Sequence, residues 1–233
     1  MRLTENRDAP LHMRPLVTLL AMTACLTISH GAIAQATTRP CGTDSAADSQ
    51  PGPACLLAHQ SLGKLGGAAV YWHLDRYAST EAAQKDRGGN AAQVQAFGAT
   101  WLFAVGTLAA RPMHGEHVAT LGPIPVASDT DYAAAFLKST FSPGMTAPVH
   151  VHSGPEVFYA LSGDTCLETP DGVQRGRGPG DSIIVRGGPP MLLAATGTGL
   201  RQGFALILHD MHLAPTTLVH DWTPKGLCIA PVR

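Results

Sequence analysis

The sequence predicts a mainly β protein, built as a sandwich or barrel behind a smaller mixed segment. Two observations carry this. From Asp131 onward, short apolar runs alternate with turn residues at close, regular spacing, which is the rhythm of antiparallel all-β folds. The 25 glycines and 18 prolines are numerous enough to punctuate many turns. A hydrophobic content of 45% against 14% charged residues excludes a disordered chain. A formal charge of −1 excludes the basic surface that non-specific nucleic-acid binding requires.

The first 34 residues read as an export signal. Arg2, Arg7 and Arg14 precede an apolar run from Leu16 to Ile28, and Ala32-Ile33-Ala34 supplies small residues for cleavage before Gln35. The run is too short for a stable membrane span of about 20 residues. A periplasmic or secreted protein is expected, so disulfides are permitted. Cys41, Cys55, Cys166 and Cys228 remain after cleavage. Cys41–Cys55 is the favoured pair, because the Ser-, Asp- and Gly-rich stretch between them holds no shape alone. Closing that loop contributes about 3 kcal/mol in the chain-entropy model. Cys166 and Cys228 form a candidate second pair that fastens the C-terminal tail.

Residues 35–55 read as a polar tail. Residues 56–130 read as an α/β extension packed on the barrel, and residues 131–233 as the barrel and its C-terminal tail. In the extension, Val70 to Leu74 predicts a strand. Ser79-Thr80-Glu81 predicts a capped helix start and Gly88-Gly89-Asn90 its end. Ala99 to Leu108 and His117 to Ile124 predict strands. In the barrel, strands are expected over 132–141, 149–152, 156–161, 165–168, 182–185, 191–195 and 200–209.

The chemistry concentrates between Gly144 and Gly163. His150 and His152 are two residues apart on an expected strand, so both imidazoles face one side. Ser153-Gly154-Pro155 turns the chain, and Glu156 starts the next strand opposite them. Two imidazoles and a carboxylate suit a divalent transition metal (Fe, Mn, Zn, Ni or Cu) and leave coordination positions open.

This segment resembles the first motif of the cupin superfamily, G-x5-H-x-H-x3-E-x6-G, at every specified position from Gly144 to Gly163. The resemblance implies a double-stranded β-helix, or jelly-roll, barrel with His150, His152 and Glu156 as metal ligands. It covers roughly residues 131–209. The second motif, G-x5-P-x-G-x2-H, is met by Gly180 and Gly188, but Arg186 replaces Pro and Met191 replaces His. A thioether is a poor ligand for Fe(II), Mn(II) or Zn(II). The site therefore has three protein ligands, or another histidine fills the gap: His209, His114 or His117. Phe158, Tyr159, Met191, Leu193 and Phe204 are candidates for an apolar pocket, and Arg175, Arg177 and Arg186 for holding an anionic substrate.

The resemblance implies either of two functions. One is a metal-dependent enzyme on a small organic molecule, with dioxygenase-type chemistry favoured over isomerase or lyase chemistry. The other is a non-catalytic binding or sensing protein in the periplasm. The expected partner is a small molecule, with a homodimer open.

Overall fold

The structure, a computed structural model, describes residues 39–42, 50–66 and 69–228. The expected signal segment and much of the polar tail lie outside the described residues. Among them, no helix is long and apolar enough to cross a membrane.

Two sheets form the jelly roll. The first contains β1 (Gly52–Lys64), β6 (Asp131–Phe141), β13 (Arg201–Asp210), β8 (Glu156–Ser162) and β11 (Ser182–Val185), antiparallel in that order. The second contains β10 (Gly172–Arg177), β9 (Asp164–Thr169) and β12 (Leu192–Thr196). Bridges at Thr146–Ala194 and His150–Met191 extend it to β7 (His150–Val151), which pairs with β14 (Thr217–Leu218). Phe141, Phe158 and Ile183 from the first sheet pack on Leu167, Met191 and Leu193 from the second. That contact is the barrel's interior core.

The preceding segment forms an antiparallel sheet of its own. Its order is β3 (Ala91–Ala96), β4 (Ala99–Gly106), β2 (Val70–Tyr77) and β5 (Glu116–Ile124), with one helix, α1 (Thr80–Asp86), between β2 and β3. Ser79 caps α1 and accepts from the Ala82 N–H at 3.2 Å. This sheet packs on the outer face of the five-stranded sheet. Trp72, Leu74, Trp101 and Phe103 meet Phe136, Phe204, Leu206 and Leu208 in one cluster. The ring centre of Phe204 lies 4.9 Å from that of Phe103 and 5.0 Å from that of Trp101, in edge-on contacts. The β3–β4 turn places Phe97 and Gly98 both at positive φ, 51° and 71°, as a type I′ turn demands. The Phe97 ring reaches Phe204 at 5.4 Å, which offsets the strain of a non-glycine residue there.

Sequence and architecture differ at three strands. β1 begins inside the expected tail and joins the barrel's own sheet, although 56–130 reads as a separate extension. Its register with β6 breaks at three places, so its side chains follow no clean alternation. β10 is polar and pairs only at an edge. β3, rich in Ala and Gln, carries little apolar signal.

Two disulfides are present among the described residues. Cys41 joins Cys55, 14 residues apart, and Cys166 joins Cys228, 62 apart. The longer loop contributes about 4 kcal/mol in the chain-entropy model. The tail is held further by Glu168, which accepts from the N–H groups of Lys225 and Leu227.

The outer side of β2 buries a polar relay. His117 Nδ1 lies 3.0 Å from Asp75 Oδ1, and its Nε2 lies 3.0 Å from Thr120 Oγ1. Thr120 Oγ1 is also 3.0 Å from His73 Nδ1, and His73 Nε2 donates to the Thr107 carbonyl at 2.9 Å. Burial raises the pKa of Asp75 above its ordinary 3.8, against the opposing pull of His117, Arg111 and His73. The native state thus holds this proton more tightly than the unfolded chain. The stability it contributes is full below about 3.8 and is lost as pH rises through the native value. Asp75→Asn is expected to flatten the slope of stability against pH in that window. Urea melts of both proteins at several pH values measure it, and an unchanged slope contradicts this account.

Candidate metal centre

β7 and β8 position the three candidate ligands. His150 and His152 flank Val151, so the strand period sends both rings inward. Gly154 makes the tight return to Glu156. A Cβ at Gly154 would stand 2.1 Å from the Leu208 carbonyl oxygen, so only glycine lets the turn sit against β13. Gly187 presses on the same spot, where its Cβ would lie 2.6 Å from Gly154. Gly154→Ala is expected to cost about 1–3 kcal/mol through overpacking and to displace Glu156 from the histidines. Thermal melts and metal titration of that variant measure both effects.

His150, His152 and Glu156 are all buried, and each offers a ligand atom within 4.8 Å of the others'. The two imidazole centres are 4.8 Å apart. His150 Nδ1 donates to the Pro148 carbonyl at 2.6 Å, and His152 Nδ1 donates to the Pro215 carbonyl at 2.5 Å. These bonds fix the tautomer and leave each Nε2 as a lone pair. His152 Nε2 then faces Glu156 Oε2 at 2.9 Å. Both atoms are buried, and neither has an aligned hydrogen-bond partner. Two acceptors in contact need a cation or a proton between them. Burial disfavours the charged form of His152, but Glu156 outweighs it, so its pKa is raised. Burial and then the neighbouring His152 lower the pKa of His150. The donor set and its orphaned atoms fit a divalent transition metal.

The fold is a double-stranded β-helix, the jelly roll that the cupin-like motif implies. The strand order of the two sheets decides it. No family model and no curated protein matches the sequence. Among solved structures, the chain is similar to DMSP lyase DddQ from Ruegeria pomeroyi DSS-3, with 25% identity and a TM-score of 0.32 over 41% of this chain and 46% of that one. It is also similar to a cupin superfamily protein from Desulfitobacterium hafniense DCB-2, with 17% identity and a TM-score of 0.30 over 37% and 74%. A third similarity is to a cupin-like protein from Thermotoga maritima, with 15% identity and a TM-score of 0.33 over 40% and 66%. The chain thus spans less than half of the lyase, and none of these overlaps bears on substrate.

The barrel encloses a cavity of about 300 Å³ beside the three candidate ligands. Phe158 and Leu193 line it, as the sequence suggests. Phe204 and Tyr159 do not. They pair across β13 and β8 and face the outer sheet. Their neighbours Ala205 and Phe158 take the inward positions. Met191 exchanges backbone hydrogen bonds with His150 and so shares its face. It is fully buried among Phe141, Ile183 and Leu193, as packing.

The other histidines stand elsewhere. His114 is bound to Asp86 and His117 to Asp75, both in the outer sheet region. His209 Nε2 lies 3.0 Å from His59 Nε2, and its Nδ1 bonds the carbonyls of Asp210 and Leu213. None joins the metal cluster found among the described residues. Arg175 donates to the Leu227 carbonyl, and Arg186 pairs with Asp171 at the surface. Arg177 is exposed. None of these three lines the cavity.

Proposed function

We propose that this cupin is a metal-dependent enzyme acting on a small organic molecule, with dioxygenase-type chemistry favoured. One observation carries the reading: two imidazole lone pairs and a carboxylate converge beside an apolar cavity, with His152 Nε2 and Glu156 Oε2 lacking any aligned partner. A metal held there supplies a Lewis acid with open positions for substrate and O₂. The chain's own residues do the rest. The Pro148 and Pro215 carbonyls accept from each Nδ1–H and so aim each Nε2 at the site. Glu156 supplies the charge that offsets a cation. Leu137, Phe158, Leu193 and Ile207 exclude water from the cavity and position an apolar body there.

The second reading is a non-catalytic small-molecule binding or sensing protein. Met191, at the position of a fourth ligand, favours it. Export to the periplasm or beyond is part of either reading, and the two disulfides support it.

Elemental analysis of the purified protein, with His150→Ala and His152→Ala alongside, tests the metal. We expect near-stoichiometric metal in the parent, and each variant weakened by roughly 100-fold or more, since even outer-shell losses cost 10–100-fold. Equal metal in all three proteins overturns the site. O₂ consumption across a panel of small organic substrates then separates enzyme from binder.

A further inference from the structure

The cavity has a second polar end, away from the metal ligands. On β6, Leu137, Ser139 and Phe141 face the barrel interior and line the cavity. On β13, Arg201 pairs directly with Phe141, and so shares that face. Arg201 is 1% exposed. Its Nε donates to Thr165 Oγ1 at 3.0 Å, and its Nη1 donates to Ser139 Oγ. Its guanidinium carbon stands 6.0 Å from the centre of the Phe141 ring. Both hydrogen-bond partners are neutral hydroxyls, and the buried Nη2 has none. Burial pulls the Arg201 pKa down to about 10 while Glu156 favours the charge, so the group remains a cation at neutral pH.

Two consequences follow from proton counting. Arg201 can only donate, so Ser139 Oγ accepts from it. The Ser139 hydrogen is then free to donate into the cavity, with a positive charge behind it. Charge is also unbalanced. Among the described residues, Glu156 is the sole carboxylate lining the cavity, while Arg39 borders it and Arg201 stands behind its wall. A bound divalent metal makes the interior more cationic still. A buried, incompletely partnered cation is costly unless an anion meets it.

Register sets the spacing. Glu156 lies opposite Ile207, and Ile207 opposite Ala135. Ser139 is four residues further along β6, about 13 Å at the usual strand rise. Leu137, Phe158, Leu193 and Ala205 supply the wall between.

We propose that the Ser139–Arg201 end of the cavity binds the carboxylate of a small organic acid with an apolar body. Its opposite end then points toward His150, His152 and Glu156. Only that second statement rests on the metal-dependent reading above.

Calorimetric titration of the purified protein tests this with four probes: hexanoate and benzoate against hexanol and benzamide. The parent protein is expected to bind each acid at least about tenfold more tightly than its neutral match, the scale of a charge-assisted hydrogen bond. Ser139→Ala, a small change that keeps the barrel packed, is expected to cut that preference to about twofold or less. Arg201→Lys is expected to weaken it too, because lysine lacks the planar fork. Acids that bind no better than their neutral matches overturn the proposal, as does an undiminished preference in Ser139→Ala. In His150→Ala the preference for acids is expected to persist. Its loss there places the carboxylate on the metal and overturns the proposal. Absence of metal from the parent protein, with the preference intact, overturns the metal reading alone.

Discussion

Phe204→Ala is expected to lower stability by about 3–5 kcal/mol, the range for removing a fully buried phenylalanine. Phe204 has no exposed surface and is the common contact of Phe97, Trp101 and Phe103. It sits where the outer sheet meets the barrel, so its loss opens a void in the seam between them. The surrounding rings all belong to the outer sheet, whereas Phe204 belongs to the barrel, so collapse onto the void requires the two sheets to shift together. Its side chain points away from the cavity, so metal stoichiometry is expected to stay that of the parent at temperatures where the variant is folded. Urea unfolding with metal analysis on the same samples measures both. A loss under about 1 kcal/mol would mean that the two sheets do not share one core.

The second large effect is on metal-linked stability. At a free metal concentration 100 times its dissociation constant, a ligand bound only by the folded state adds about 2.7 kcal/mol. For a protein of this size that raises the Tm by roughly 5–10 °C. Glu156→Gln keeps the shape of the side chain and removes its charge. The variant is expected to lose nearly all of that rise, because Gln leaves two neutral imidazoles and no anion. Melting curves with and without added Mn(II), Fe(II) or Zn(II) decide it. An equal rise in the variant means that the stabilising ion sits elsewhere.

The convergence of His150, His152 and Glu156 was legible because it is local. Thirteen residues from Gly144 to Glu156 contain the strand, the turn and all three side chains, and the period of a strand fixes which way each one faces. The barrel strands were legible for the same reason, being short apolar runs between Gly and Pro turns. The pocket was harder. β13 reads Phe204-Ala-Leu-Ile-Leu208, apolar on both faces because both are covered. Such a strand carries no phase, and Phe204, a pocket candidate in the sequence, faces the outer sheet instead. β1 hid for a different reason. Its bulges break the alternation, and its partner lies about 75 residues away in sequence. The Arg201–Ser139 contact spans 62 residues, and nothing near either residue announces the other. The mixed extension proved to be a four-stranded sheet with a single seven-residue helix, because Ala- and Gln-rich β3 has no strong preference until β4 pairs with it.

His152 takes its orientation from the Pro215 carbonyl. That carbonyl belongs to a span of backbone anchored at one end where β13 stops and at the other where Cys228 is bonded to Cys166. Between those ends the span is also held where β14 pairs with β7 and where Glu168 accepts from Lys225 and Leu227. The aim of the His152 ring is thus tied to a tail with several fastenings, of which the sulfur bond is the outermost. A reducing environment is therefore expected to free the chain near Cys228 while β14 still keeps the Pro215 carbonyl on the ring.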